Sequence, residues 1–141
     1  MNNATSKLSL KDIQIKQILS SEMSKAVYTK EGTGAIVNWV DIKLRQDEVE
    51  NIANWINSVP ESEIIELNQI PSNKSISAGI VFRLKNNKEI RIQYDLEKIY
   101  ITRTDQKNSQ VVYSINQGEL MNFFDTQLKG FYFGEDKVRN S

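Results

Sequence analysis

Apolar and polar positions alternate most strictly over residues 89–96, where Ile90, Ile92, Tyr94 and Leu96 interleave with Glu89, Arg91, Gln93 and Asp95. Successive strand side chains point to opposite faces, so this segment predicts a strand with one apolar and one charged face. The same period runs through Ile76, Ala78, Ile80, Phe82 and Leu84, where Gly79 predicts a bulge or a close backbone approach. Asn86-Asn87 lies between the two runs and suits a tight hairpin turn, because Asn tolerates positive φ. Ile99 and Ile101 share a face opposite Tyr100 and Thr102. A polar loop over 105–109 and a strand carrying Val111, Tyr113 and Ile115 follow. Residues 76–115 thus predict a β-meander on which the rest of the chain must pack.

The flanks carry weaker patterns. Ile13 and Ile15 alternate, then Ile18 follows, which predicts a first strand over 11–19. Met23, Ala26, Val27 and Tyr28 suggest a short strand, and Glu31-Gly32-Thr33-Gly34 a loop. Over 35–44, Ile36, Val40, Ile42 and Leu44 share one strand parity and Trp39 takes the other. Val49, Ile52, Ala53, Ile56 and Val59 then follow the helical period, with Trp55 at the edge of the stripe. Asp47 and Glu50 predict a capping box for this helix, and Pro60 its end. Ile64, Ile65 and Leu67 predict a short strand within 62–70. Leu120, Met121, Phe124 and Leu128 form the stripe of a second helix, with Asn116 and Glu119 at its start and Gly130 at its end. Phe131-Tyr132-Phe133 adds a short last strand or covers the end of the core.

The expected fold is α+β: an antiparallel β-meander sheet with two amphipathic helices packed on one face and neighbouring strands paired in sequence. Residues 1–9 are expected to form a flexible arm, 10–133 a single domain and 134–141 a polar tail.

Composition narrows the chemistry. The 141 residues suit one domain. They contain no histidine and no cysteine, which removes Cys/His zinc sites, thiol nucleophiles, Ser-His-Asp triads and disulfides together. The net charge is zero, so nothing in the balance points to nucleic acid or an acidic lipid surface. No apolar run is long enough to span a bilayer. Glu61, Glu63 and Glu66, and Glu135 with Asp136, are neighbouring acids without a surrounding motif. Asp47, Glu48 and Glu50 suit the positive end of a helix dipole. Gly32-Thr33-Gly34 lacks the phosphate-loop pattern, and Asp41 with Asp47 lacks the EF-hand spacing. No catalytic, cofactor-binding or metal-binding residue is therefore assigned, no cofactor is expected, and the chain reads as a non-enzyme.

Arg91, Arg103, Lys85 and Lys88 are interleaved with Glu89, Asp95 and Glu97, as on a solvated sheet face rather than a phosphate-tracking stripe. Tyr94, Tyr100 and Tyr113 read as core or edge-packing residues. Trp39 and Trp55 fall off or at the edge of their elements' apolar parity and are candidates for an exposed contact. Trp39, Trp55, Arg91 and Arg103 make up the candidate partner-contact set.

The first strand, the helix Asp47-Glu48-Val49-Glu50-Asn51-Ile52 through Trp55-Ile56, the strand Ile90-Arg91-Ile92-Gln93-Tyr94 and the closing helix at 120–128 resemble a known type. Together they look like the extracellular domains of small Gram-positive lipoproteins of the Bacillus type, over residues 10–130. The resemblance implies a tethered, extracytoplasmic domain held by a lipidated cysteine just before the polar arm. This sequence contains no such cysteine. The expected function is a binding or accessory domain whose partner is another protein or a cell-envelope component, with no nucleic acid involved. A cytosolic adaptor, inhibitor or immunity-type protein is the alternative. A carboxylate-based hydrolase comes third and needs two acids converging in one cleft.

Overall fold

The structure is a computed structural model that describes residues 12–32, 34–71, 75–106 and 110–128. Its elements are β1 (Ser20–Glu31), β2 (Gly34–Ile42), α1 (Gln46–Asn57), β3 (Ile65–Leu67), β4 (Ala78–Arg83), β5 (Glu89–Tyr94), β6 (Ile99–Arg103), β7 (Val111–Ile115) and α2 (Gly118–Leu128). The strands form one seven-stranded sheet in the order β2-β1-β4-β5-β6-β7-β3, with every neighbouring pair antiparallel. The fold is α+β.

One face of the sheet carries the core. Met23, Ile80, Ile92, Ile101 and Tyr113 stand in a single register row across β1, β4, β5, β6 and β7, all buried. Val49, Ile52 and Ile56 of α1 and Leu120, Phe124 and Leu128 of α2 join the same hydrophobic cluster. The helix period and the strand period therefore meet on one face, and burial of these aliphatic and aromatic side chains is the main driving force for the fold. Trp55 on α1 lies near Phe123 on α2, with ring centroids 6.2 Å apart.

The meander forms as its pattern predicts. Asn86 and Asn87 both take φ of 62°, the mirror-image turn that matches strand twist. Two details differ. Gly79 keeps regular register with Ser24 and Gln93, so there is no bulge, and an added Cβ would meet its neighbours at ordinary contact distance. Leu96 does not continue the apolar face of β5. It sits in the next turn at φ 78° and is 42% exposed. Asp95 takes over there: its Oδ1 accepts the amides of Glu97 and Lys98 at 2.8 and 2.7 Å, and this local bonding ends the strand.

Outside the meander the pattern was a weaker guide. Among the described residues 12–19 contain a single 3-10 turn, Ile15–Gln17, and not a strand. Ile13 is buried, but its backbone is paired by a side chain: its N–H donates to Asn57 Oδ1 at 2.7 Å and its carbonyl accepts from Asn57 Nδ2 at 3.0 Å. The long strand lies just after, in the stretch where only a short one was expected. β1 was hard to see because Lys25 occupies a core-facing position in it. Its Nζ donates to the carbonyl of Gln127 at 2.5 Å, which places a cation at the carboxyl end of α2, and burial lowers its pKa.

Both helix caps shift. α1 starts at Gln46, and the backbone N–H of Arg45 donates to Glu48 Oε1 at 2.8 Å; Asp47 instead pairs with the Arg45 guanidinium at 3.0 Å. α2 is capped by Gln117, whose Oε1 accepts from the Leu120 amide at 2.8 Å, rather than by Asn116. Pairing is not sequential throughout: β1 reaches β4, and β3 adds to β7 at the far edge. The expectations for the arm at 1–9, for Gly130, for Phe131-Tyr132-Phe133 and for the tail at 134–141 lie outside the described residues.

Candidate functional site

β1 pairs with β4 only from Ser20 to Lys25, yet it pairs with β2 from Met23 through to Glu31. Among the described residues, the outer part of the β1–β2 hairpin, residues 27–31 and 34–38, therefore runs past the rest of the sheet with only itself for a partner. At about 3.3 Å per residue this arm projects by roughly 16 Å. β2 is also the sheet edge. Its Ile36, Val37, Trp39 and Val40 are 44%, 47%, 55% and 40% exposed. Apolar side chains thus face water on both sides of one strand, where a folded core would cover at least one side.

At the root of the arm the outer face of the sheet dips into a depression of about 210 Å³, lined among others by Ser24, Trp39, Ile76, Gly79, Arg91 and Gln93. Gly79 opens it by offering no side chain between Ser24 and Gln93, its register partners. Ile76 closes one side. Arg91 is held by an ion pair with Glu89, and Glu89 also lies 3.6 Å from Arg83, which in turn pairs with Glu22 at 3.1 Å. This alternating network of two acids and two arginines is neutral in sum. The depression offers a flat indole beside a guanidinium and an amide, a combination suited to a peptide segment with both apolar and polar groups.

The four candidate contact residues separate. Trp39 and Arg91 line the same depression. Trp55 is half-buried on the helix side of the sheet against Phe123. Arg103 is not on a solvated face: it is 2% exposed, on the helix-facing side of β6 in register with Ile90 and Val111. Its Nε and Nη2 donate to the two carboxylate oxygens of Asp105 at 2.9 and 2.8 Å, a bidentate pair. Burial pushes the Asp105 carboxyl up, but the Arg103 bond and charge outweigh it and hold the group below the usual carboxylate range. Beside the pair, burial pushes the Tyr113 phenol up to about 12, although the Arg103 charge pulls it down. The Tyr113 hydroxyl is buried without a hydrogen-bond partner in good geometry, so the guanidinium acts on it through its field. This is a structural cluster with one buried cation at its centre.

The exposed strand side chains Ile36, Val37 and Val40 were absent from the candidate set. Their signal was present: over 36–40 apolar residues occupy both parities, which suits either a doubly covered strand or an exposed edge. Among the described residues no group of three or more Asp or Glu side chains is placed to hold a metal ion, and no helix is long and apolar enough to cross a membrane. Comparison with known protein families, curated proteins and solved structures finds no match.

Proposed function

We propose that this chain is a non-enzymatic binding domain that engages a protein partner through the projecting β1–β2 arm and the adjoining Trp39–Arg91 depression. The observation that carries the reading is the exposure of Ile36, Val37, Trp39 and Val40 together on a sheet edge that is unpaired among the described residues. An edge strand offers backbone donors and acceptors as well as side chains, so it supports recognition by strand addition. The sequence resemblance to small lipoprotein ectodomains supports a bacterial cell envelope as its setting in the same proposal.

A photo-crosslinking residue at Val37, compared with one at Leu96, tests the binding role in source cells. Leu96 is also exposed and apolar but lies in a meander turn away from the arm. The reading expects adducts from position 37 and none from position 96; equal labelling, or none from either, overturns it. Fractionation of the same cells tests the setting: recovery of the protein with membranes supports the envelope, and recovery in the cytosol removes it.

A further inference from the structure

Strand β2 reads almost the same in both directions about Asn38: Ile36 and Val40, then Val37 and Trp39, are placed symmetrically around it. We propose that β2 pairs antiparallel with the β2 of a second copy, about a two-fold axis through Asn38, joining two sheets into one. This inference rests on the binding role of the arm and names its partner.

The backbone parity permits this register. The Ala26 amide donates to the Ser77 carbonyl at 2.8 Å, so it points away from β2. Ala26 is opposite Trp39. In an antiparallel ladder both members of such a pair direct their groups off that ladder, so the N–H and C=O of Trp39 face the free edge. Alternation gives the same orientation to Ala35, Val37 and Asp41. A two-fold axis at Asn38 sets Val37 opposite Trp39 and Ala35 opposite Asp41, so each outward residue meets another outward residue. Each such pair exchanges two backbone hydrogen bonds. An axis one half-step away would match outward with inward residues and lose them.

The side chains agree with the backbone. Val37 meets Trp39 on the outer face, and Ile36 meets Val40 on the other. Every exposed apolar side chain of the edge gains a cross-strand apolar neighbour. The single charge of β2, Asp41, falls opposite Ala35 and not opposite a second carboxylate. Apart from Asp41, the devices that normally keep edges apart are missing: β2 has no proline, no lysine and no bulge, its register with β1 running unbroken from Met23–Ile42 to Glu31–Gly34. The other edge, β3, has three residues, one of them Glu66. Self-complementarity of one patch is the requirement for an isologous dimer. A single edge strand offers less than a standard interface, so the association is weak and depends on concentration.

The chain has no cysteine, which gives a clean test. At the axis the two Asn38 residues form a non-hydrogen-bonded pair with Cα atoms about 4.5 Å apart, within disulfide reach. Purified Asn38→Cys therefore oxidises to a covalent dimer, whereas Asp41→Cys does not. Sedimentation velocity of the unmodified protein shows monomer at low micromolar and dimer at several hundred micromolar. Val37→Pro removes an outward amide without touching the β1 ladder, so it weakens dimerisation at least tenfold while thermal unfolding stays within a few degrees. Protein that stays monomeric at the highest concentration overturns the inference, as does a dimer that links through Asp41→Cys and not Asn38→Cys. A foreign peptide as the true occupant gives that monomeric outcome together with adducts at position 37 in cells, so the binding role survives when the dimer fails.

Discussion

The hydroxyl of Tyr94 donates to Asp125 Oδ1 at 2.7 Å, while its ring stacks on Phe124 at a centroid distance of 4.9 Å. A single side chain of β5 thus ties the middle of the sheet to two consecutive residues of α2. Tyr94→Phe keeps the stacked ring and loses the bond. It is expected to lower stability by about 1 kcal/mol, the net value of one such hydrogen bond. Tyr94→Ala also empties the core and is expected to cost about 3–5 kcal/mol. Urea unfolding of the two variants separates the terms.

Arg103 and Asp105 are expected to behave as a unit. Asp105→Ala leaves a buried guanidinium without its bidentate partner and is expected to cost about 3 kcal/mol. The double change Arg103→Met with Asp105→Ala should cost less than the sum of the two single changes, which a double-mutant cycle measures. The folded carboxyl lies below its ordinary value of 3.8. Its contribution is therefore full above that pH and is lost as pH falls below it. Asp105→Ala flattens the acid limb of a stability–pH curve.

Tyr113 contributes to the opposite limb, together with Tyr94. Its phenol is held at about 12 in the fold against 10.0 in the unfolded chain. Stability is full below pH 10 and falls as pH rises towards 12, because the unfolded chain ionises first. Tyr113→Phe removes its share of this fall and leaves the share of Tyr94, whose phenol is also pushed up by burial and by Asp125. It also removes a buried hydroxyl that lacks a partner, so at neutral pH it is expected to be neutral or stabilising by up to about 1 kcal/mol. Thermal melts at neutral pH and above pH 10 check both statements.

Asn57 is the clasp for the chain before β1. Asn57→Ala removes both bonds to the Ile13 backbone and is expected to cost about 1–3 kcal/mol. Hydrogen exchange at the Ile13 amide should accelerate in this variant more than exchange at Ile92.

The meander was legible because local rules agreed there. Period-two alternation, turn residues with positive φ and short connections all indicate the same strands, and Ile80, Ile92 and Tyr113 fall on the face assigned to them. Legibility fails where a polar side chain performs a core or backbone task. Lys25 hides a strand because it caps a helix, and Arg103 looks solvated because its partner Asp105, two residues on, reads as part of a polar loop. Asn57 supplies the pairing that Ile13 seemed to need from a strand. The arm is the reverse case: Ile36, Val37 and Val40 look like core by composition, and only the sheet order reveals an edge. Burial depends on what lies opposite, which no window of sequence contains.

The non-sequential contact between β1 and β4 has a consequence for synthesis. The β1–β2 hairpin is complete about thirty-five residues before β4 begins, since it ends at Ile42 and its inner partner strand starts only at Ala78. Domains generally fold as units, N-terminal parts emerging first. For several seconds, at roughly 5–20 residues per second, the nascent chain carries a hairpin with both margins open and Met23 uncovered. The inner margin closes only when the meander arrives. The newborn chain is thus most prone to association with its neighbours on one messenger, along the same hairpin that the mature domain leaves half open.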